Sequence, residues 1–181
     1  MEEQVILVDS KDQTIGLMEK MEAHRRAILH RAFSVFVFNS QGEMMLQRRA
    51  IDKYHSAGLW TNTCCSHPKS DETVEQAGLR RLREEMGFET ALTYGFYFIY
   101  HASLDHGLTE HELDHVLIGH SDEAPKINAE EVCDWKYISM DDLRGDMLVH
   151  PQNYTAWFRI IMQDYGDKIC NTAGLKNTNL S

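Results

Sequence analysis

The sequence predicts an α+β domain built on a mixed β-sheet, and three observations carry the prediction. Runs rich in β-branched and aromatic residues recur along the chain, among them Gln4 to Val8, Ala32 to Phe38, Tyr94 to Ala102 and Val132 to Ile138. Helical periodicity interrupts them at a few places, most clearly between Thr73 and Met86. The connections are mostly short, with 11 glycines and 3 prolines among 181 residues.

In chain order, QVILV (Gln4 to Val8) is a short apolar strand that ends at Asp9-Ser10. Gly16 to Arg26 is polar and mixed, with no clean helical stripe. AFSVFVF (Ala32 to Phe38) and Met44 to Arg48 form a hairpin through a turn containing Gly42. Residues 55–70 read as a loop, with Gly58 and Pro68 as punctuation. Val74, Ala77, Leu79, Leu82 and Met86 then fall at three- and four-residue steps, so a helix is expected there. Asp71 is its expected cap, and Gly87 takes the place of a C′ glycine. Strands follow at Tyr94 to Ala102, Glu112 to Gly119 and Val132 to Ile138. A short helix begins at Asp141 to Arg144, and a longer apolar one runs from Tyr154 to Tyr165. The polar ending CNTAGLKNTNLS suggests one domain over residues 1–170 and a flexible tail over 171–181.

Composition sets the class. Hydrophobic residues make up 43% and charged residues 25%, enough to bury a full core without covalent staples. A net charge of −10 argues against a nucleic-acid surface, yet a local cluster of Arg and Lys can still hold an anionic small molecule. The start MEEQVILVDS does not resemble a signal peptide, and no apolar stretch approaches the ~18 residues of a membrane span, so no membrane partner is expected. The four cysteines lack the spacing of a disulfide framework, so free thiols in a reducing cytoplasm are expected. The sequence carries no signature of an oligomeric state.

The stretch WTNTCCSH (residues 60–67) concentrates the reactive groups. In an extended segment Cys65 and His67 face the same way and Cys64 faces the opposite way. The candidate metal set is His24, His30, His67, Glu110 and Glu112. Glu110 and Glu112 lie two apart at a strand edge, which puts both carboxylates on one face. His24 and His30 are six apart and need a loop or the start of a strand to converge. Nitrogen and carboxylate ligands together suit Mn²⁺, Fe²⁺ or Zn²⁺. On composition alone, any three of ten histidines are more often surface or hydrogen-bonded residues than ligands. Arg48, Arg49 and Lys53, with Arg80, Arg81 and Arg83 on the helix, are suited to a phosphate or diphosphate. The helix arginines equally fit a solvated face paired with Glu84 and Glu85.

The segment from Ser66 to Phe88, SHPKSDETVEQAGLRRLREEMGF, resembles a degenerate Nudix box. Glu72, Arg80, Glu84, Glu85 and Gly87 match that box, Ser66 stands at its first glycine, and Arg81 replaces the glutamate after the arginine. Losing that carboxylate to a cation points away from hydrolysis. Taken with TNTCCSHP, HRAFSVFVFN and EHELDH in the same order, the chain from about Val5 to Trp157 resembles the type I isopentenyl-diphosphate isomerases. The resemblance implies a Nudix-like mixed sheet flanked by helices. It also implies interconversion of isopentenyl and dimethylallyl diphosphates through a tertiary carbocation, in isoprenoid precursor synthesis. By position it makes Cys65, Glu112 and Tyr100 the catalytic residues. It assigns His24, His30, His67, Glu110 and Glu112 to a Mn²⁺ or Zn²⁺ site, and Glu85 to a Mg²⁺ bridged by substrate, with no organic cofactor. Lys20, Arg49, Lys53 and Arg81 take the diphosphate, and Trp157 lines the alkyl pocket. The two competing readings are a Nudix pyrophosphohydrolase and a non-enzymatic metal-binding module on the same fold.

Overall fold

The computed structural model describes residues 3–175. Its centre is strand β3 (His30–Phe38), HRAFSVFVF, which is buried on both faces, as apolar residues on both sides of its pleat require. On one side β3 runs parallel to β8 (Thr109–His120), from His30 opposite Glu112 to Phe38 opposite His120. β8 in turn pairs antiparallel with β7 (Thr93–Ser103). Along β7, Phe96, Phe98, Tyr100 and Ala102 are buried and alternate with exposed residues, the period-two pattern of a strand with one wet face.

The other edge of β3 is divided among three strands. β1 (Gln4–Val8) meets it at Leu7 and His30, and β1 pairs outward with β2 (Thr14–Glu19). β6 (Cys64–Ser66) lies antiparallel along its middle, with Cys65 opposite Ser34. β4 (Met44–Arg49) pairs with β3 only at Phe38 and Met44, then diverges to pair with β9 (Val132–Ile138) and β5 (Trp60–Thr61). The expected hairpin therefore opens like a fork.

Side chains fill that fork. The Thr63 hydroxyl accepts from Val37 N–H (2.9 Å) and donates to the Met45 carbonyl (2.7 Å). Asn62 Nδ2 donates to the carbonyls of Val35 (3.1 Å) and Cys64 (2.9 Å). Residues 55–70 are thus partly strand and deeply buried at Thr61, Asn62 and Thr63, rather than the loop that Gly58 and Pro68 suggest. Buried Thr and Asn here make the backbone bonds that a ladder would otherwise supply.

Helices cover both faces. α2 (Val74–Met86) packs Ala77, Leu82 and Met86 against Phe33, Val35, Val37 and Leu117. On the opposite face, α4 (Ala156–Thr172) packs Trp157, Phe158 and Ile161 against Phe36, Phe38, Phe96 and Val116. The cap of α2 is Thr73, not Asp71: Thr73 Oγ1 accepts from Gln76 N–H (3.2 Å) and Gln76 Oε1 accepts from Thr73 N–H (2.9 Å). Gly87 ends the helix at φ 69°, where a Cβ would stand 2.3 Å from the Lys126 carbonyl oxygen.

Two elements emerge from the stretch read as patternless: β2, and the six-residue helix α1 (Lys20–Arg25). Glu19 caps α1 by accepting from Met21 and Glu22 N–H, both at 2.8 Å. The short helix α3 (Met140–Val149) precedes α4. Of the expected tail, Asn171 and Thr172 close α4, while residues 176–181 lie outside the described residues. Among the described residues no helix is long and apolar enough to cross a membrane.

Candidate active site

All the site residues that the resemblance assigns, except His30, line one cleft, and His30 is buried beside it; Arg48, Arg80 and Arg83 do not line it. The cleft opens where the edge of β3 is divided. His24 reaches it from the last turn of α1, after which Ala27 (φ 52°) reverses the chain into β3. A left-handed alanine costs roughly 1–2 kcal/mol, and it brings His30 back to the first position of the strand. There the parallel register sets His30 beside Glu112.

One donor atom from each of His24, His30, His67 and Glu112 falls within 4.8 Å of the others. Glu112 Oε1 lies 3.1 Å from His67 Nε2 and 3.5 Å from His30 Nε2. His24 Nδ1 donates to the Lys20 carbonyl (2.7 Å) and His30 Nδ1 to the Ile28 carbonyl (2.8 Å). The Nδ1 of each ring is thereby engaged and Nε2 is left available, the arrangement that orients metal-ligating imidazoles. Burial pushes the His24 and His67 pKa values down, His67 to about 4, so both rings are neutral at pH 7. His30 Nε2 and His67 Nδ1 are buried without a hydrogen-bond partner. Neutral nitrogens, a carboxylate and orphaned polar atoms at one point fit a divalent cation.

Glu110 stands outside that four-residue convergence. The Tyr100 hydroxyl lies between the two acids, 2.7 Å from Glu110 Oε2 and 2.6 Å from Glu112 Oε2. Both carboxylates face the same way from β8, as their spacing predicts. Burial would raise Glu112, but the neighbouring His30 and His67 imidazoles outweigh it and hold the group well below the usual carboxylate range. Glu110 goes the other way, pushed well up by burial and by the charge of Glu112. A phenol has one proton and can donate to only one acid at a time. The second short contact requires a proton on the other carboxyl, and that is Glu110.

The cysteines divide as the facing argument predicts. Cys64 is fully buried in the core beneath α2, while Cys65 is half-buried in the cleft wall. Burial, and next the charge of Glu85, push the Cys65 thiol well up, and Arg49 pulls the other way. Trp157 is buried with Nε1 unpaired, and the Arg49 guanidinium stands 5.3 Å from its ring centroid.

The cations arrive already partnered. Lys20 Nζ meets Glu3 (2.9 Å), and Lys53 pairs with Glu131. Arg81 meets Glu85 (2.6 Å), Glu84 (2.8 Å) and Glu131 (3.4 Å). Glu85 also accepts from Gln47 Nε2 at 2.7 Å. Glu72 and Arg80 form a bidentate pair, at 2.6 and 2.9 Å, that fastens the approach segment to α2. Among the described residues Arg49 pairs with no carboxylate. Gln47, Tyr54, His55 and Glu131 also line the cleft and were not singled out from the sequence. Gln47 had a signal, since it shares the inward face of β4 with Arg49; His55 and Glu131 had none.

The chain is similar to known proteins over most of its length. Residues 28–158 match the NUDIX domain family. Isopentenyl-diphosphate Delta-isomerase of Pectobacterium atrosepticum is 50% identical over 157 residues, covering 87% of this chain and 88% of that protein. Isopentenyl-diphosphate Delta-isomerase 2 of Aromatoleum aromaticum is also 50% identical over 157 residues, covering 87% and 83%. Among solved structures, DR0079 from Deinococcus radiodurans superposes with a TM-score of 0.74 at 20% identity, covering 90% of this chain and 99% of that one, a likeness of fold alone. The chain belongs to the NUDIX family and, within it, to the isopentenyl-diphosphate Delta-isomerases.

Proposed function

We propose that the protein converts isopentenyl diphosphate to dimethylallyl diphosphate by a 1,3 proton shift, the activity for which its curated relatives are named. The observation that carries the reading is one cleft holding a cysteine thiol, a phenol-bridged pair of acids and four cations. Lys20, Arg49, Lys53 and Arg81 anchor the diphosphate, which supplies binding remote from the reacting carbons. An isolated alkene is a poor base, so the enzyme must deliver a proton and then shelter a tertiary carbocation.

The proton that Glu110 and Tyr100 share passes to Glu112, which delivers it to C4 of the substrate. The C3 cation then loses a proton from C2 to the Cys65 sulfur, and the electrons of that C–H bond close the new double bond. In reverse, the Cys65 thiol protonates C2 as it stands. For the forward direction the sulfur must accept, and Arg49 is the nearby charge that favours the thiolate. Trp157 faces the cation with its ring, and burial keeps water from trapping it. We read the His24, His30, His67 and Glu112 cluster, with Glu110 beside it, as a Mn²⁺ or Zn²⁺ site and Glu85 as the holder of Mg²⁺; the chemistry such ions supply is Lewis acidity and neutralisation of phosphate charge. The net charge of −10 argues against nucleic acid as a partner, while the local Arg and Lys cluster takes a small anionic substrate, met in the cytoplasm.

The test follows isopentenyl diphosphate with Mg²⁺ and Mn²⁺ in D₂O by proton NMR. Dimethylallyl methyl signals with deuterium entering C2 and C4 are expected. Release of phosphate without allylic product would replace the isomerase reading with a hydrolase.

A further inference from the structure

We propose that Glu131 is a displaceable counter-anion: its carboxylate holds the place of a substrate phosphate between Lys53 and Arg81, and a bound diphosphate expels it. The inference rests on the reading of these cations as the diphosphate cradle.

A single oxygen, Glu131 Oε2, contacts both the Lys53 ammonium and Arg81 Nη2. Carboxylate and phosphate oxygens make the same charge-assisted bonds to these donors, so the two compete for one position. The backbone at Glu131 is fixed on both sides of the residue's peptide plane. Its N–H donates to the Asn128 carbonyl and its own carbonyl accepts from Ala50 N–H, both at 2.9 Å. The side chain is about a quarter exposed, so it can swing into water while the backbone stays. Arg81 keeps Glu85 and Glu84 when Glu131 leaves, and its guanidinium stays aimed at the cleft.

Glu131 also answers a charge problem. Lys53 converges with Arg49 and Arg81 on one cleft, and Glu131 is the one carboxylate among the described residues that pairs with its ammonium against their repulsion. A carboxylate that is already in place keeps the lysine turned inward before substrate arrives. Substrate and product carry the same diphosphate, so a built-in competitor weakens both equally and hastens exchange.

The test is calorimetric titration of metal-loaded protein with inorganic diphosphate in Mg²⁺ buffer. Glu131→Gln keeps the shape and removes the charge, and it should bind diphosphate about tenfold tighter, which is ~1.4 kcal/mol. Glu131→Asp should fall between Gln and wild type. On a Lys53→Met background the gain from Glu131→Gln should shrink to about threefold or less. A carboxylate that merely braces the turn would show no such dependence on Lys53. Unchanged or weaker binding by Glu131→Gln overturns the proposal and makes Glu131 a brace or a metal ligand. Wild-type protein that binds diphosphate but turns over no isopentenyl diphosphate sinks the isomerase reading alone. Wild-type protein that does not bind diphosphate sinks both.

Discussion

Tyr100→Phe tests the proton store most directly. The substitution keeps the ring in its packed position and removes one oxygen, which lies 2.7 Å from Glu110 and 2.6 Å from Glu112. Hydrogen bonds to charged groups contribute ~1.5–3 kcal/mol, and here one bond to ionised Glu112 and one neutral bond are lost, for a total of about 3 kcal/mol. At 2–4 °C per kcal/mol for a chain of this size, the melting temperature should fall by roughly 6–12 °C. The loss should depend on pH in a definite direction. The folded-state pKa of Glu110 is raised above its ordinary 4.5, so its contribution is complete below that value and is lost as pH rises toward the folded-state pKa. The phenol holds Glu110 down, so removing it raises the folded value further and extends the loss upward in pH. Chelator-treated wild type and variant should therefore differ more at pH 8 than at pH 5. Turnover, measured by NMR, should drop ~10²–10⁴-fold, the scale of lost acid–base assistance. A variant as stable as wild type at pH 8, or one that suffers more at pH 5, would refute the shared-proton arrangement.

The other predictions concern the metal cluster, the cysteines and the helix end. In the metal-free protein His67 titrates at about 4 rather than ~6.5. A depressed histidine contributes stability that is present above pH 6.5 and lost as pH falls toward 4, worth ~3 kcal/mol in all, so acid denaturation of the apoprotein should begin in that window. His24→Ala should weaken Mn²⁺ binding at least tenfold by metal titration, without abolishing the fold. Cys65→Ala should cost orders of magnitude in turnover with little change in melting temperature, because the thiol lines a cleft. Cys64→Ser should do the reverse: it buries a hydroxyl in the core under α2 at a cost of ~1–3 kcal/mol in urea unfolding, while the folded fraction stays active. Gly87→Ala should lose ~2 kcal/mol or more, since the left-handed backbone and the Lys126 carbonyl both exclude a Cβ; unchanged unfolding would contradict the packing at that turn.

Much of the framework was legible in the residues because one side chain decides one environment. HRAFSVFVF carries apolar groups on both faces, and only a central strand needs that. β2 was missed because Ile15 and Leu17 point to solvent at 66% and 49% exposure, so no buried stripe distinguishes TIGLME from a loop. α1 is shorter than two turns, and its cap is a glutamate rather than Ser, Thr, Asp or Asn, so neither period nor cap announces it. Asp71 had the right chemistry for a cap, but Glu72 and Arg80 pair beside it and Thr73 closes the box with Gln76. The convergence of His24 with His30 could not be read from a six-residue interval, because it depends on a left-handed alanine. Glu131 was hidden for another reason: in NAEEVCDW nothing separates it from Glu130 except the cations that the fold delivers to it.

The fork between β3 and β4 is closed by a threonine hydroxyl instead of a peptide group, and this makes the centre of the sheet a gauge of the cleft. Val37 N–H is hydrogen-bonded by the Thr63 hydroxyl, and Thr63 sits two residues before Cys65. Deuterium exchange at that one amide, deep in the protein, therefore reads out whether the cysteine segment is docked. The strand that the sheet lacks at this point is replaced by a latch, and a latch can open without the sheet coming apart.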